Sequence, residues 1–179
     1  YRPSRSVLAV SVMAAATFIL IAVGAFRRDG AIDWTDRHSG TGGYALLVET
    51  VMPLANDPNS PEGRAQLGLD QSTDVVVEPF RVLPGDDASC LNLYEPRQPR
   101  ILGVRRDFIR QGRFSFAGTL DGAERENPWM LLEREQDDGA IPVIGDANSM
   151  TYVLHKSIGD EVVVDRGGKP VRLRLVAAL

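Results

Sequence analysis

The chain has 179 residues, with 20 Lys and Arg against 24 Asp and Glu, and a single cysteine. Four of the basic residues lie at or before Arg28 and every acidic residue lies after it, so residues 29–179 carry a net charge of −8. That acidity argues against nucleic acid and anionic lipid as partners of this part, because phosphate-bearing ligands need a basic surface, and one cysteine excludes an internal disulfide.

The first element is Ser6 to Phe26, SVLAVSVMAAATFILIAVGAF, which holds no charge, no Asn or Gln and no Pro. At about 1.5 Å per residue it reaches roughly 30 Å, the hydrocarbon thickness of a bilayer, and reads as a spanning helix. Arg2 and Arg5 before it and Arg27 and Arg28 after it suit headgroup depth, Trp34 suits the interface, and Ala14 to Ala16 with Gly24 offer small faces to another helix. Two other readings compete. A cleaved signal peptide would use Ala22-Val23-Gly24, but the apolar run exceeds a signal h-region and an arginine pair follows it directly. A buried helix of a soluble protein would need a polar face, and this stretch has only Ser6, Ser11 and Thr17.

The rest of the chain predicts a mixed α+β domain, so the division is 1–28 spanning helix with flanks, 29–43 a glycine-rich polar connection, and 44–179 an extracytoplasmic domain of about 135 residues, enough for one core. The pattern of Tyr44 to Met52, YALLVETVM, predicts a strand ending at Pro53. Ser60-Pro61-Glu62 predicts a helix start with Ser as N-cap, running to about Leu67 with Gly68 beyond its end. Asp74 to Leu83 predicts another strand, although Pro79 denies it one donor. Cys90 to Tyr94 and Arg100 to Val104 are short extended candidates, Phe108 to Phe116 a helical turn leading into a strand, Asp121 to Asn127 a polar loop and Trp129 to Leu132 an apolar run. The last third predicts a strand at 141–144, a helix capped by Asp146 over 147–155, and a hairpin of strands 161–164 and 171–176 entered through Gly159-Asp160 and turned at Gly167-Gly168. The last strand stops in mid-pattern and the chain opens on Tyr1, which leads us to expect a fragment of a longer protein.

No catalytic, cofactor-binding or metal-binding set emerges. Cys90 with His38 or His155 would supply a nucleophile and a base, but nothing in the spacing brings them together, and a structural thiol is the simpler reading. Asn56, Asp57, Asn59 and Glu62 are oxygen-bearing and close in sequence, yet lack the spacing and central glycine of a calcium loop, so turn and cap is expected. Asp86-Asp87 and Asp137-Asp138 read as solvated turns, two histidines and one cysteine argue against zinc, and no phosphate-cradling glycine loop of the GxxxxGK[ST] type occurs.

Several motifs resemble the FtsX-like, MacB-type permeases of ABC transporters. They are Gly42-Gly43-Tyr44 leading to Glu49-Thr50 and Pro53, the stretch PGDDASCLNL over 84–93, Gly112-Arg113-Phe114, and PVIGDANSMTYVLHKSIGDEVVV over 142–164 followed by VRLRLVAAL. The resemblance implies an inner-membrane permease subunit without catalytic activity, with its outer domain between the first and second of four spanning helices. It also implies homodimeric or paired assembly, contact with membrane lipid, and a separate cytoplasmic ATPase partner. Such proteins relay nucleotide-driven motion to lipoproteins, peptides, lipids or envelope enzymes. The glycine-rich connection 29–43 is then the expected weak point of the relay, and a singly anchored binding or adaptor module, or an anchored enzyme, is the alternative.

Overall fold

The computed structural model describes residues 3–26, 33, 35–70, 74–86, 96, 98–120 and 126–179, with side chains of the first helix described from Ser6 to Ala25. It divides into two compact units, Tyr1–Asp33 and Trp34–Leu179. The first holds helix α1, Pro3–Phe26, whose Ser6–Ala25 stretch is apolar on every side and buried nowhere against protein. Such a helix is long and apolar enough to span a bilayer. Thr17 satisfies its hydroxyl by donating to the Met13 carbonyl at 2.9 Å, so its polar group is internally paired.

In the second unit helix α2, Pro61–Gln66, forms where its signals stand: Ser60 Oγ accepts from Gly63 N at 3.0 Å, Pro61 opens the helix, and Gly68 takes φ +68° past its end. Strands β1, Arg81–Leu83, and β2, Ile101–Gly103, pair antiparallel. Helix α3, Arg106–Gln111, ends at Gly112 with φ +60°. A short strand β3, Gly118–Thr119, and a 3₁₀ turn, Pro128–Glu133, lead to β4, Ile141–Gly145. A helical turn, π-helical over Ser149–Val153, connects β4 to the hairpin of β5, Glu161–Asp165, and β6, Pro170–Ala178.

Strand β6 is the centre of the main sheet. It pairs parallel with β4 along one edge, and on the other edge antiparallel with β5 over its first half and β3 over its second. Val171, Leu173 and Leu175 alternate with Arg172 and Arg174 as expected, but from Val176 to Ala178 both faces are covered, by Leu131 and Phe116 among others. A register shift between Val143 and Ile144 accommodates one extra β6 residue. Pro142 is tolerated because β4 is an outer strand. The core is aromatic at one end, with Phe108, Ile109 and Trp129 buried, and aliphatic at the other, with Met150, Leu175 and Ala178 packed together.

Four expectations need correction. Residues 44–52 form no strand, and Leu46, Leu47, Val48, Val51 and Met52 are 74 to 103% exposed. An alternating pattern favours extended backbone, but a ladder needs a neighbour, and none lies beside this stretch among the described residues. Only Arg81–Leu83 of the expected strand 74–83 is paired, because the backbone before Pro79 is held by side chains. Asn59 Nδ2 donates to Val77 O at 2.8 Å and its Oδ1 accepts from Val77 N at 2.9 Å, while Arg64 donates to the carbonyls of Val75 and Asp70. The strand expected after the 108 helix starts only at Gly118. The helix expected to reach His155 is π-helical and ends at Val153, closed by Leu154 N donating to Ser149 O at 2.9 Å. The extended candidate Cys90–Tyr94 and most of the loop 121–127 lie outside the described residues.

Candidate functional site

Among the described residues the sequence candidates for chemistry do not converge. His38 sits in an exposed turn with its backbone N–H bonded to Asp36 Oδ1, and exposed His155 follows the π-helical turn at φ +50°. Cys90 and Asp87 lie outside the described residues. The oxygen-rich loop is turn and cap: Asp57 Oδ1 accepts from Asn59 N, Asn59 clips Val77, Asn56 reaches Gln66, and Glu62 stands in the first turn of α2. Asp86 exchanges hydrogen bonds with Gln98. Among the described residues no group of His, Cys, Asp and Glu is placed to hold a metal ion. An open groove of 410 Å³ lies between β3 and the π-helical turn, apolar at Met150, Ile158 and Ala178 with Lys156 and Ser157 also lining it.

Asp138 and Glu161 share the guanidinium groups of Arg172 and Arg174. Arg174 Nη2 stands 2.5 Å from a carboxylate oxygen of each acid, and Arg172 bonds both the carboxylate and the carbonyl of Asp138. The Ala140 N–H, then Arg174, holds the Asp138 carboxyl below its ordinary value, and the two acids hold Arg174 above its own. This network ties the turn after the 3₁₀ segment to β5 and β6. It lies near the surface, where solvent screens each ion pair and leaves it a small contribution to stability.

The most elaborate arrangement is where the domain begins. Residues 36–44 are a chain of turns, with Gly42 N donating to Ser39 O and Tyr44 N to Thr41 O, both at 3.1 Å. Arg113 clasps this segment from the core side: its Nη1 donates to Gly42 O at 3.0 Å, and its guanidinium lies 4.5 Å from the centre of the Tyr44 ring. Phe114 N donates to Arg37 O at 2.7 Å. Arg113 is itself held, because its Nε donates to Gln111 Oε1, Gln111 donates to Glu78, and its carbonyl accepts from Trp129 Nε1 at 2.6 Å. Gly42 is required by sterics: it has φ +62°, and a methyl there would stand 2.6 Å from the Phe114 ring.

The clasp carries costs that its contacts must outweigh. Phe114 sits at φ +73°, which costs a side-chain-bearing residue on the order of 1–2 kcal/mol. The Tyr44 hydroxyl is buried without a hydrogen-bond partner among the described residues, and burial pushes its pKa up against the pull of Arg113. Against this stand a charge-assisted hydrogen bond of about 1.5–3 kcal/mol, a cation–π contact of about 0.5–1 kcal/mol, and the Phe114 ring packed among Tyr44, Phe108 and Trp129. The closed clasp is the arrangement these contacts hold. Nothing in it can form or break a bond, so its capability is to hold backbone in place. In the sequence Gly42-Gly43-Tyr44 and Gly112-Arg113-Phe114 stand out as separate motifs of the resemblance, and nothing local joins them.

Comparison with known proteins gives no match: no family model, no curated protein and no solved structure corresponds to this chain.

Proposed function

We propose that the chain is the membrane-anchoring and outer-domain part of an FtsX-like, MacB-type ABC permease subunit. Helix α1 sits in the inner membrane among lipid, and residues 29–179 lie outside the cytoplasm. The subunit acts as a homodimer or pair beside a cytoplasmic ATPase, and the outer domain couples that partner's motion to export, to lipoprotein or lipid handling, or to regulation of the envelope. The observation that carries this reading is an apolar helix of spanning length, exposed on all sides, followed by an α+β unit whose first described turns are clasped to its own core. Coupling of this kind requires an anchor and a firm entry into the domain, and no chemistry from the domain itself.

The test is purification of the full-length protein that carries this chain from its native membranes in mild detergent, through a tag that leaves the protein untruncated. A nucleotide-binding ATPase of the ABC type is expected to copurify, and the chain purified alone is expected to hydrolyse no ATP. Recovery without such an ATPase, or ATP hydrolysis by the chain alone, overturns the proposal. The exposed apolar residues of 46–52 favour a second reading, a singly anchored binding or adaptor module. That module would be recovered with an extracytoplasmic partner and no ATPase.

A further inference from the structure

We propose that the contacts of Arg113 and Phe114 with residues 37–44 form a mechanical clasp, with Arg113 as its latch. The glycine-rich turn is thereby a rigid part of the domain, and displacement of the chain entering at Thr35 is delivered to the aromatic core. The inference takes its functional meaning from the coupling reading above, but it stands on geometry of its own.

Three observations carry it. The entering segment is held by its backbone as well as its side chains: the carbonyls of Arg37 and Gly42 both accept hydrogen bonds from consecutive core residues, Phe114 and Arg113. Backbone held at two points five residues apart cannot slide without losing both bonds, nor pivot without losing one. The donors are in turn tied to the buried aromatic cluster, because the Arg113 carbonyl is bonded by Trp129 Nε1 and Trp129 packs edge-on against Phe108 with ring centres 4.8 Å apart. A pull on Arg37 is therefore a pull on Phe114, Arg113 and Trp129 in two steps. Finally, the clasp is closed against local strain, with Phe114 in the left-handed region and Gly42 leaving no room for a methyl group. Chain held this way marks a junction the fold over-determines, whereas a passive linker would relax to ordinary backbone angles.

The glycines at 42 and 43 thus have a role opposite to that of a flexible hinge. They let the chain turn tightly enough to meet Arg113 and Phe114, and the turn so formed is stiff. Composition alone would assign compliance to this segment, and the hydrogen bonds remove it from 35–44.

Hydrogen exchange on the full chain in lipid nanodiscs tests the clasp. The amides of Gly42, Tyr44 and Phe114 are expected to be protected like those of β5 and β6, and Arg113→Ala is expected to speed their exchange by at least about tenfold while leaving β5 and β6 unchanged. Arg113→Lys keeps a cation over Tyr44 without the guanidinium fork and should fall between the two. Should Arg113→Ala unfold the whole unit, Arg113→Lys carries the comparison on the same amides. Fast exchange at Gly42 and Tyr44 in the parent protein, or no acceleration in either variant, overturns the clasp. Failure to copurify an ATPase would sink the coupling reading and leave this result untouched, so the two claims fail separately.

Discussion

Residues 44–52 and 74–80 carry β-branched, apolar runs like those of 141–178, yet among the described residues only the runs of 141–178 pair into a sheet. Val171 to Val176 pairs on both edges, with β4 on one side and β5 on the other, and its side chains become the core. Tyr44 to Met52 and Asp74 to Phe80 are held instead at separate points by Arg113, by a Glu49–Arg100 ion pair of 2.7 Å, by Asn59 and by Arg64. The contrast teaches that local pattern decides which backbone can extend, while neighbours decide which extended backbone becomes a strand.

The comparison is broken most severely in the aromatic core. Trp129→Ala removes a ring packed against Phe108, Phe114 and Phe116 together with the bond to the Arg113 carbonyl, and is expected to cost about 3–5 kcal/mol in urea unfolding. Leu46→Ala, in the exposed segment, should change stability by no more than about 0.5 kcal/mol in the same assay. If the two variants cost alike, 44–52 is packed after all.

Arg64→Ala should come next. It leaves the Val75 and Asp70 carbonyls without the guanidinium that now bonds them, at a cost of about 2–3 kcal/mol, and residues 74–77 should gain exchange first. Ser60→Ala removes the N-cap of a six-residue helix and should cost about 1 kcal/mol. A loss confined to α2, without spread to β4 or β6, would show that the side-chain-held region opens on its own.

The smallest effect is expected from pH. The folded-state pKa of Asp138 is lower than its unfolded value, so its contribution is full above the ordinary carboxylate range and is lost as pH falls through the depressed value. Asp138→Asn should flatten the acid side of the stability profile by lowering stability slightly at neutral pH, with the two proteins converging below the depressed pKa, and the effect is small because the site is open to solvent. A large change near pH 7 would mean that the arginine network is sequestered from water.

Much of the second region was legible beforehand. Asp146 caps its turn by accepting from Ser149 N, Asp160 accepts from Ser157 N, Gly167 and Gly168 take positive φ, and β5 and β6 occupy the expected positions within a residue or so. Each of these is local chemistry, written in adjacent residues. The clasp was not legible, because Arg113 and Gly42 lie 71 positions apart and only folding brings them together. Nor was the loss of the strand at 44–52, whose alternation is genuine and whose fate depended on what else reached it.

The central claim is an anchored protein whose folded unit lies across the membrane from its ATPase. Its most direct test is a pair of reporter fusions after Leu179, alkaline phosphatase and a reporter that fluoresces only in the cytoplasm, each with carbonate washing of the membranes. The account predicts an active phosphatase, a dark cytoplasmic reporter, and full-length protein retained in the washed membrane. A bright cytoplasmic reporter, or release of a shortened protein into the soluble fraction, would contradict it.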